Sequence, residues 1–169
     1  MCAIFTGKKP KRYEYCSLSS QPLTEQCGVC AVVTSSGHLR GKKAGRFIDQ
    51  SNCVFRMNTA PVKGYERDVG SRTDFRVLGH SNLIKDYVKD DKPLLDATFN
   101  SKDGNNKGPS TILIPWLSRE IVDMNKSTNA AYLMAVKYAK DYPKTNFYVS
   151  TQQWVEKSFD LFTIETGAR

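Results

Sequence analysis

The chain is 169 residues long, 40% hydrophobic and 25% charged, enough apolar material for one ordinary core and too much for a largely disordered polymer. Lys and Arg outnumber Asp and Glu by 25 to 17, and the formal charge of +8 favours anionic partners such as phosphates, nucleic acid, acidic sugars or anionic lipid. No run reaches the roughly 18 apolar residues of a membrane helix, and the start, Met1 to Gly7, is too short for a signal peptide, so these residues are expected to be soluble, with any anchor outside them.

Residues 1–28 lack a sustained period and are punctuated by Pro10, Pro22 and Gly28; they are expected to form a stem or linker. Within them Lys8-Lys9-Pro10-Lys11-Arg12 has the composition of a solvated tail. From residue 29 onward, short apolar runs alternate with helix-like segments. The runs are Cys30–Val33, Cys53–Met57, Phe75–Leu78, Thr111–Ile114 and Asn146–Ser150, rich in β-branched and aromatic residues as buried strands are. The segments expected to be helical are Leu39–Gln50, Leu83–Leu95, Ser118–Tyr142 and Gln152–Thr163. The third has Ser118, Glu120 and Asp123 at its start and a stripe of Ala131, Met134, Ala135 and Tyr138, and Pro143 ends it. Residues 100–109 are a polar, glycine-bearing loop. This alternation predicts an α/β fold, a Rossmann-like, largely parallel sheet with helices on both faces.

All five cysteines, Cys2, Cys16, Cys27, Cys30 and Cys53, lie in the first third. Cys27-Gly-Val-Cys30 admits a redox pair or half a zinc site. Zinc requires four ligands, and neither a second CxxC nor an HxxxH pair follows. A redox pair usually opens a helix, whereas Cys30 opens a strand. Disulfides of an oxidising compartment are the other possibility, and an odd count leaves one thiol free or paired outside the chain.

Chemistry is expected where the strand Ala31-Val-Val33 runs into Thr34-Ser-Ser-Gly37, because open α/β sheets bind ligands beyond the carboxyl ends of their strands. Small hydroxyl residues and a glycine let a ligand approach, and N–H groups at the next helix start can face an anion. Gly37, Gly41 and Gly45 do not spell a dinucleotide fingerprint, and no Walker loop is present. The second strand ends at Asn58, roughly 20 residues on, where a Rossmann-type fold touches a ribose. An asparagine there offers a donor and an acceptor to a base edge or a sugar hydroxyl.

The wording of the segment is more specific. Cys30-Ala-Val-Val-Thr-Ser-Ser-Gly-His-Leu39, Ile48-Asp49, Phe55-Arg-Met-Asn-Thr-Ala-Pro61 and Gly64-Tyr-Glu-Arg-Asp-Val-Gly-Ser-Arg-Thr73 together resemble the large sialylmotif of animal sialyltransferases. Val32 to His38 and Arg76-Val-Leu-Gly-His80 are most similar to the branch that transfers sialic acid to the 6-position of N-acetylgalactosamine. Ile112-Leu-Ile-Pro-Trp116 and Glu165-Thr-Gly167 resemble that branch more weakly.

The resemblance implies a sialyltransferase-type glycosyltransferase fold, incomplete here, with residues 29–169 as its donor-nucleotide-binding part. Ser35 and Ser36 match the family's Asn-Ser pair at the nucleotide, with serine in the Asn position. Gly37 and Asn58 complete the implied donor contacts, and Ser81 and Asn82 are further candidates on the same edge. His80 lies beside them, and Trp116 either shapes the cleft or packs in the core. Asp68, Gly70 and Arg72 look scaffold-forming. Cys30 matches a cysteine whose disulfide partner lies in the family's small motif, outside this chain. The implied reaction is inverting displacement at the sialyl anomeric carbon of CMP-sialic acid, without cofactor or metal, onto the 6-hydroxyl of N-acetylgalactosamine in a glycoprotein or glycolipid. The family's histidine base lies beyond Arg169, and His38 and His80 match neither it nor the phosphate-contacting histidine. The chain alone is therefore expected to be inactive, and a non-catalytic CMP- or CMP-sialic acid-binding isoform, or one that pairs with a full-length enzyme, is the alternative. Nucleic acid is not an expected partner, since Arg40-Gly-Lys-Lys-Ala-Gly-Arg46 has no interleaved aromatics. The family implies the lumenal side of the Golgi membrane, reached through an anchor absent from this chain. The glycosylation sequon at Asn125 agrees with that location.

Overall fold

The computed structural model describes residues 15–17, 21–83, 111–115, 130–150 and 152–167. Five strands follow one another across the sheet in chain order: β2 (Cys30–Val33), β3 (Cys53–Met57), β4 (Phe75–Val77), β5 (Thr111–Ile114) and β6 (Asn146–Ser150). Each is parallel to the next. A sixth, β1 (Tyr15–Ser17), lies antiparallel on β6. These three residues belong to the stretch read from the sequence as stem. Among the described residues β2 forms the opposite edge.

The helices differ more from expectation. Leu39–Gln50 is not one helix: a 3₁₀ turn at Gly37–Leu39 is followed by α1 (Gly45–Asp49). Between them Gly41 takes φ 78° and Lys43 φ 56°, left-handed values that a right-handed helix does not hold. A short α2 (Glu66–Val69) precedes β4. The helix expected from Leu83 begins at His80, and its course past Leu83 lies outside the described residues. Of Ser118–Tyr142, α3 spans Ala130–Asp141, and residues 116–129, with Ser118, Glu120, Asp123, Asn125 and Trp116, lie outside the description. The polar loop 100–109 does too. The last helix, α4, runs Gln152–Thr166.

β5 is buried at all four residues, as a parallel strand covered on both faces should be. Against it and β6 lies the main core. Ala131, Met134, Ala135 and Tyr138 of α3 meet Ile112, Ile114, Phe147, Val149, Leu78 and Leu83. Each large side chain buried there contributes about 1.5–3 kcal/mol. The β2–β3 end has a smaller cluster of Val33, Ile48 and Val54, with Ala31, Leu39, Ala44 and Val69 packed beside it.

A disulfide joins Cys27 to Cys53, while Cys30 is a free, exposed thiol. The CxxC therefore forms no internal pair. Asn52 reinforces the tie, since its Oδ1 accepts the Val29 N–H at 2.8 Å and its own N–H donates to the Val29 carbonyl at 2.9 Å.

Candidate functional site

Parallel order places the ends of β2, β3 and β4 side by side on one edge of the sheet. After β2 the chain passes through extended Ser36 (φ −80°, ψ 150°) into the 3₁₀ turn, and Ser35, Ser36, Gly37 and His38 are all exposed. The Thr34 and Ser36 hydroxyls lie 3.2 Å apart. A Cβ built on Gly37 would meet nothing within 4 Å, so the space before this turn is open to a ligand. In the loop between this turn and α1, the N–H groups of Gly41 and Lys43 donate to the Asp68 carboxylate, at 2.7 and 2.9 Å. The same two bonds hold the Asp68 pKa below the ordinary aspartate value.

Asn58, directly after β3, has φ 47°, a left-handed conformation that asparagine tolerates better than most side chains. Its backbone N–H donates to the Val77 carbonyl at 2.7 Å. Its carbonyl, with that of Ala60, accepts from Arg76 Nη1, each at 3.0 Å. Its side-chain Oδ1 accepts two bonds, from the Gly79 N–H at 2.8 Å and from Asn82 Nδ2 at 2.9 Å. Gly79 sits where a Cβ would come within 3.4 Å of that oxygen. The structure thus brings Asn58 and Asn82 into contact across the ends of β3 and β4. Ser35 to Gly37 stand at the end of the neighbouring strand. Ser81 is exposed and His80 half-buried at the start of the next helix.

Two arginines missed from sequence lie behind the site: Arg76 holds this edge through the carbonyls of Asn58 and Ala60, while Arg56 ties down the segment that leads into β4. Arg56 and Arg76 are register partners on β3 and β4, so they point to the same face, and both are buried. Arg56 Nε donates to the Arg72 carbonyl and the Thr73 hydroxyl, and its Nη2 to the carbonyls of Val69 and Gly70. Burial, together with the nearby charge of Arg56, pushes the Arg76 pKa down to about 10. The available signal was a cation inside each apolar run, Val-Phe-Arg-Met and Phe-Arg-Val-Leu, where a buried charge must find partners.

The residues read as scaffold occupy scaffold positions. Gly70 has φ 77°, and a Cβ on it would meet Asp49 Oδ1 at 2.5 Å. Arg72 bonds Asp74 at 2.9 Å and the carbonyls of Asp49, Ser51 and Asn52. The Asp49 carboxylate accepts the N–H groups of Ser71 and Arg72 and the Ser71 hydroxyl. Burial works to raise its pKa, but these bonds prevail and lower it. Gly45 lets α1 approach α2 closely, since a Cβ there would run into the Glu66 carbonyl oxygen.

The sequence pattern of glycosyltransferase family 29 (sialyltransferase) matches residues 8–158. The chain belongs to this family. It is 36% identical over 169 residues to alpha-N-acetylgalactosaminide alpha-2,6-sialyltransferase 3 of Homo sapiens, covering 96% of this chain and 50% of that protein. Against alpha-N-acetylgalactosaminide alpha-2,6-sialyltransferase 6 of Bos taurus it is 31% identical over 150 residues, covering 89% of this chain and 41% of that one. The chain thus spans about half the length of these relatives. A crystal structure of a mammalian sialyltransferase superposes with a TM-score of 0.48 at 22% identity, over 79% of this chain and 43% of the other. Among the described residues no cluster of His, Cys, Asp or Glu could hold a metal ion, and no helix is long and apolar enough to cross a membrane.

Proposed function

We propose that this chain forms the donor-nucleotide side of a sialyltransferase whose donor is CMP-sialic acid. The acceptor is the 6-hydroxyl of N-acetylgalactosamine on a glycoprotein or glycolipid. The observation that carries this is the meeting of motif and geometry: Ser35, Ser36 and Asn58, the positions that match the family's nucleotide contacts, follow the carboxyl ends of two adjacent parallel strands. The hydroxyls of the first turn and the amide of Asn58 offer hydrogen bonds to cytidine monophosphate, and the net charge of +8 suits an anionic donor. In the transfer step the acceptor oxygen bonds to the anomeric carbon, CMP leaves, and the acceptor hydroxyl gives up its proton. The residues named here hold the leaving nucleotide and form no bond to the sugar. No metal or cofactor takes part, so a chelator leaves donor binding unchanged. The Cys27–Cys53 disulfide suits an oxidising lumen, in keeping with a Golgi location.

Titration calorimetry with CMP tests this reading. The 169-residue polypeptide is expected to bind CMP, and Asn58→Ala to weaken binding about tenfold or more, as loss of a bond to a charged group does. Absence of CMP binding overturns it.

One observation favours a second reading, a non-catalytic CMP- or CMP-sialic acid-binding chain that acts beside a full-length enzyme. His38 is exposed on the 3₁₀ turn and His80 opens a helix, and neither shares a hydrogen bond with a described residue that would orient it as a base. An assay of transfer from CMP-sialic acid to an N-acetylgalactosamine acceptor separates the two. Turnover by the 169-residue polypeptide selects the enzyme, and binding without turnover selects the alternative.

A further inference from the structure

Asn58 is held so that it can present only hydrogen-bond donors, and the residue that completes this arrangement is Asn82. An asparagine amide has an acceptor end and a donor end, and which way it faces decides what it can recognise. Here the orientation is fixed by chemistry. The atom of Asn58 that meets Gly79 lies 2.8 Å from a backbone N–H, which can only donate, so that atom must be the oxygen. The atom of Asn82 that lies 2.9 Å from the same oxygen must then be its nitrogen. With two donors converging on it, Oδ1 is filled, and no described residue accepts from Nδ2.

We infer that Asn82 is a positioning residue of the nucleotide site: its side-chain N–H locks the amide of Asn58 with Nδ2 turned toward the ligand, so that this position selects a hydrogen-bond acceptor and rejects a donor. Two further features support the lock. The backbone of Asn58 is pinned independently, through the Val77 carbonyl and Arg76 Nη1, so the side chain cannot reorient by moving the main chain. Asn82 is itself tied to the same turn, its N–H donating to the Gly79 carbonyl at 3.1 Å. On a nucleoside monophosphate the acceptors that fit are the phosphate oxygens and the carbonyl and ring nitrogen of a pyrimidine edge. A ribose hydroxyl used as a donor does not fit. This rests on the donor-site reading above, with Asn82 acting through Asn58 rather than on the nucleotide directly.

The test is a double-substitution cycle read by CMP affinity. Asn82→Ala removes one hydrogen bond from the lock and is expected to weaken CMP about 2- to 10-fold. Asn82→Asp keeps the shape but sets an acceptor against Oδ1, and is expected to weaken CMP more than alanine does. A residue that merely packed would tolerate Asp as the closer isostere. Asn58→Asp keeps both bonds to Gly79 and Asn82 but replaces the two donors with an acceptor, and is expected to lose CMP at least as severely as Asn58→Ala while melting at an unchanged temperature. In the Asn58→Ala background, Asn82→Ala should have no further effect. Should Asn82→Ala fail to fold, Asn82→Ser supplies a shorter donor, expected to stay closer to the original affinity than Asn82→Asp does. Hydrogen exchange at the Gly79 N–H, expected to quicken in Asn58→Ala, reads the lock without ligand. If CMP binds and Asn58→Ala weakens it, but Asn82→Ala changes nothing or acts equally in both backgrounds, this inference falls and the donor site stands. If CMP does not bind at all, both fall.

Discussion

The two ends of the sheet are stabilised by different chemistry. Around β5, β6 and α3 the contacts are among apolar side chains: Ile112, Ile114, Phe147 and Val149 face Met134, Ala135 and Tyr138, and ten residues of this cluster are buried. Around β2, β3, α1 and α2 only Val33, Ile48 and Val54 form a buried cluster. There Asp68 and Arg76 bond to backbone groups of the loops that follow β2 and β3, Arg56, Arg72 and Asp49 bond to those of the segments that lead into β3 and β4, Asp74 accepts the Val54 N–H of β3, and a disulfide adds a covalent tie. This second end carries the candidate nucleotide site. A loop-rich site must leave its surface open and cannot bury enough apolar area, so its irregular backbone is fixed by groups that satisfy carbonyls and N–H groups one at a time.

Substitutions at the two ends should therefore fail in different ways. The largest effect is expected from Tyr138→Ala. Removing this fully buried ring, which also contacts Tyr142, should cost about 3–5 kcal/mol in denaturant unfolding, with little dependence on salt or pH. Arg56→Met should cost about 3 kcal/mol although it adds apolar character, because the carbonyls of Val69, Gly70 and Arg72 lose their donor inside the protein. A stable Arg56→Met protein would show that shape rather than hydrogen bonding holds this end. The smallest effect is expected from Asp49→Asn, about 1 kcal/mol at neutral pH once solvent screening is allowed for. Its sign with pH is definite. The folded-state pKa lies below the ordinary aspartate value of 3.8, so the carboxylate's contribution is complete above that value and is lost as pH falls through the folded pKa. Acid titration of stability should thus show the parent protein and Asp49→Asn converging at low pH, and parallel curves would refute the assignment.

The same contrast explains what could be read from the sequence. The four strands Cys30–Val33, Cys53–Met57, Thr111–Ile114 and Asn146–Ser150 were legible to the residue, because a parallel strand reads as a short continuous apolar run between breakers, whether wholly buried like β5 or at an edge like β2. The stripe Ala131, Met134, Ala135 and Tyr138 was legible because side chains at helical spacing share a face. The interval between β2 and α1 was not, because Lys43 carries a positive φ that its identity does not announce and Asp68, far along the chain, takes the N–H groups of that loop. At the site, local pattern pointed to Ser35 and Asn58. It could not show that Asn82 meets Asn58, because the two are 24 positions apart and adjacent only once β3 and β4 pair. Nor did a three-residue strand such as β1 carry any period to detect.

The edge formed by β2 has a practical consequence. Its outward row of peptide groups meets no neighbouring strand among the described residues, and Val29, Cys30 and Val32 beside it are exposed. As far as the described residues go, this edge, with exposed aliphatic side chains and a thiol beside it, is open to pairing with a second copy and to intermolecular oxidation. Solutions of the isolated polypeptide should therefore be handled dilute and under reductant mild enough to spare Cys27–Cys53.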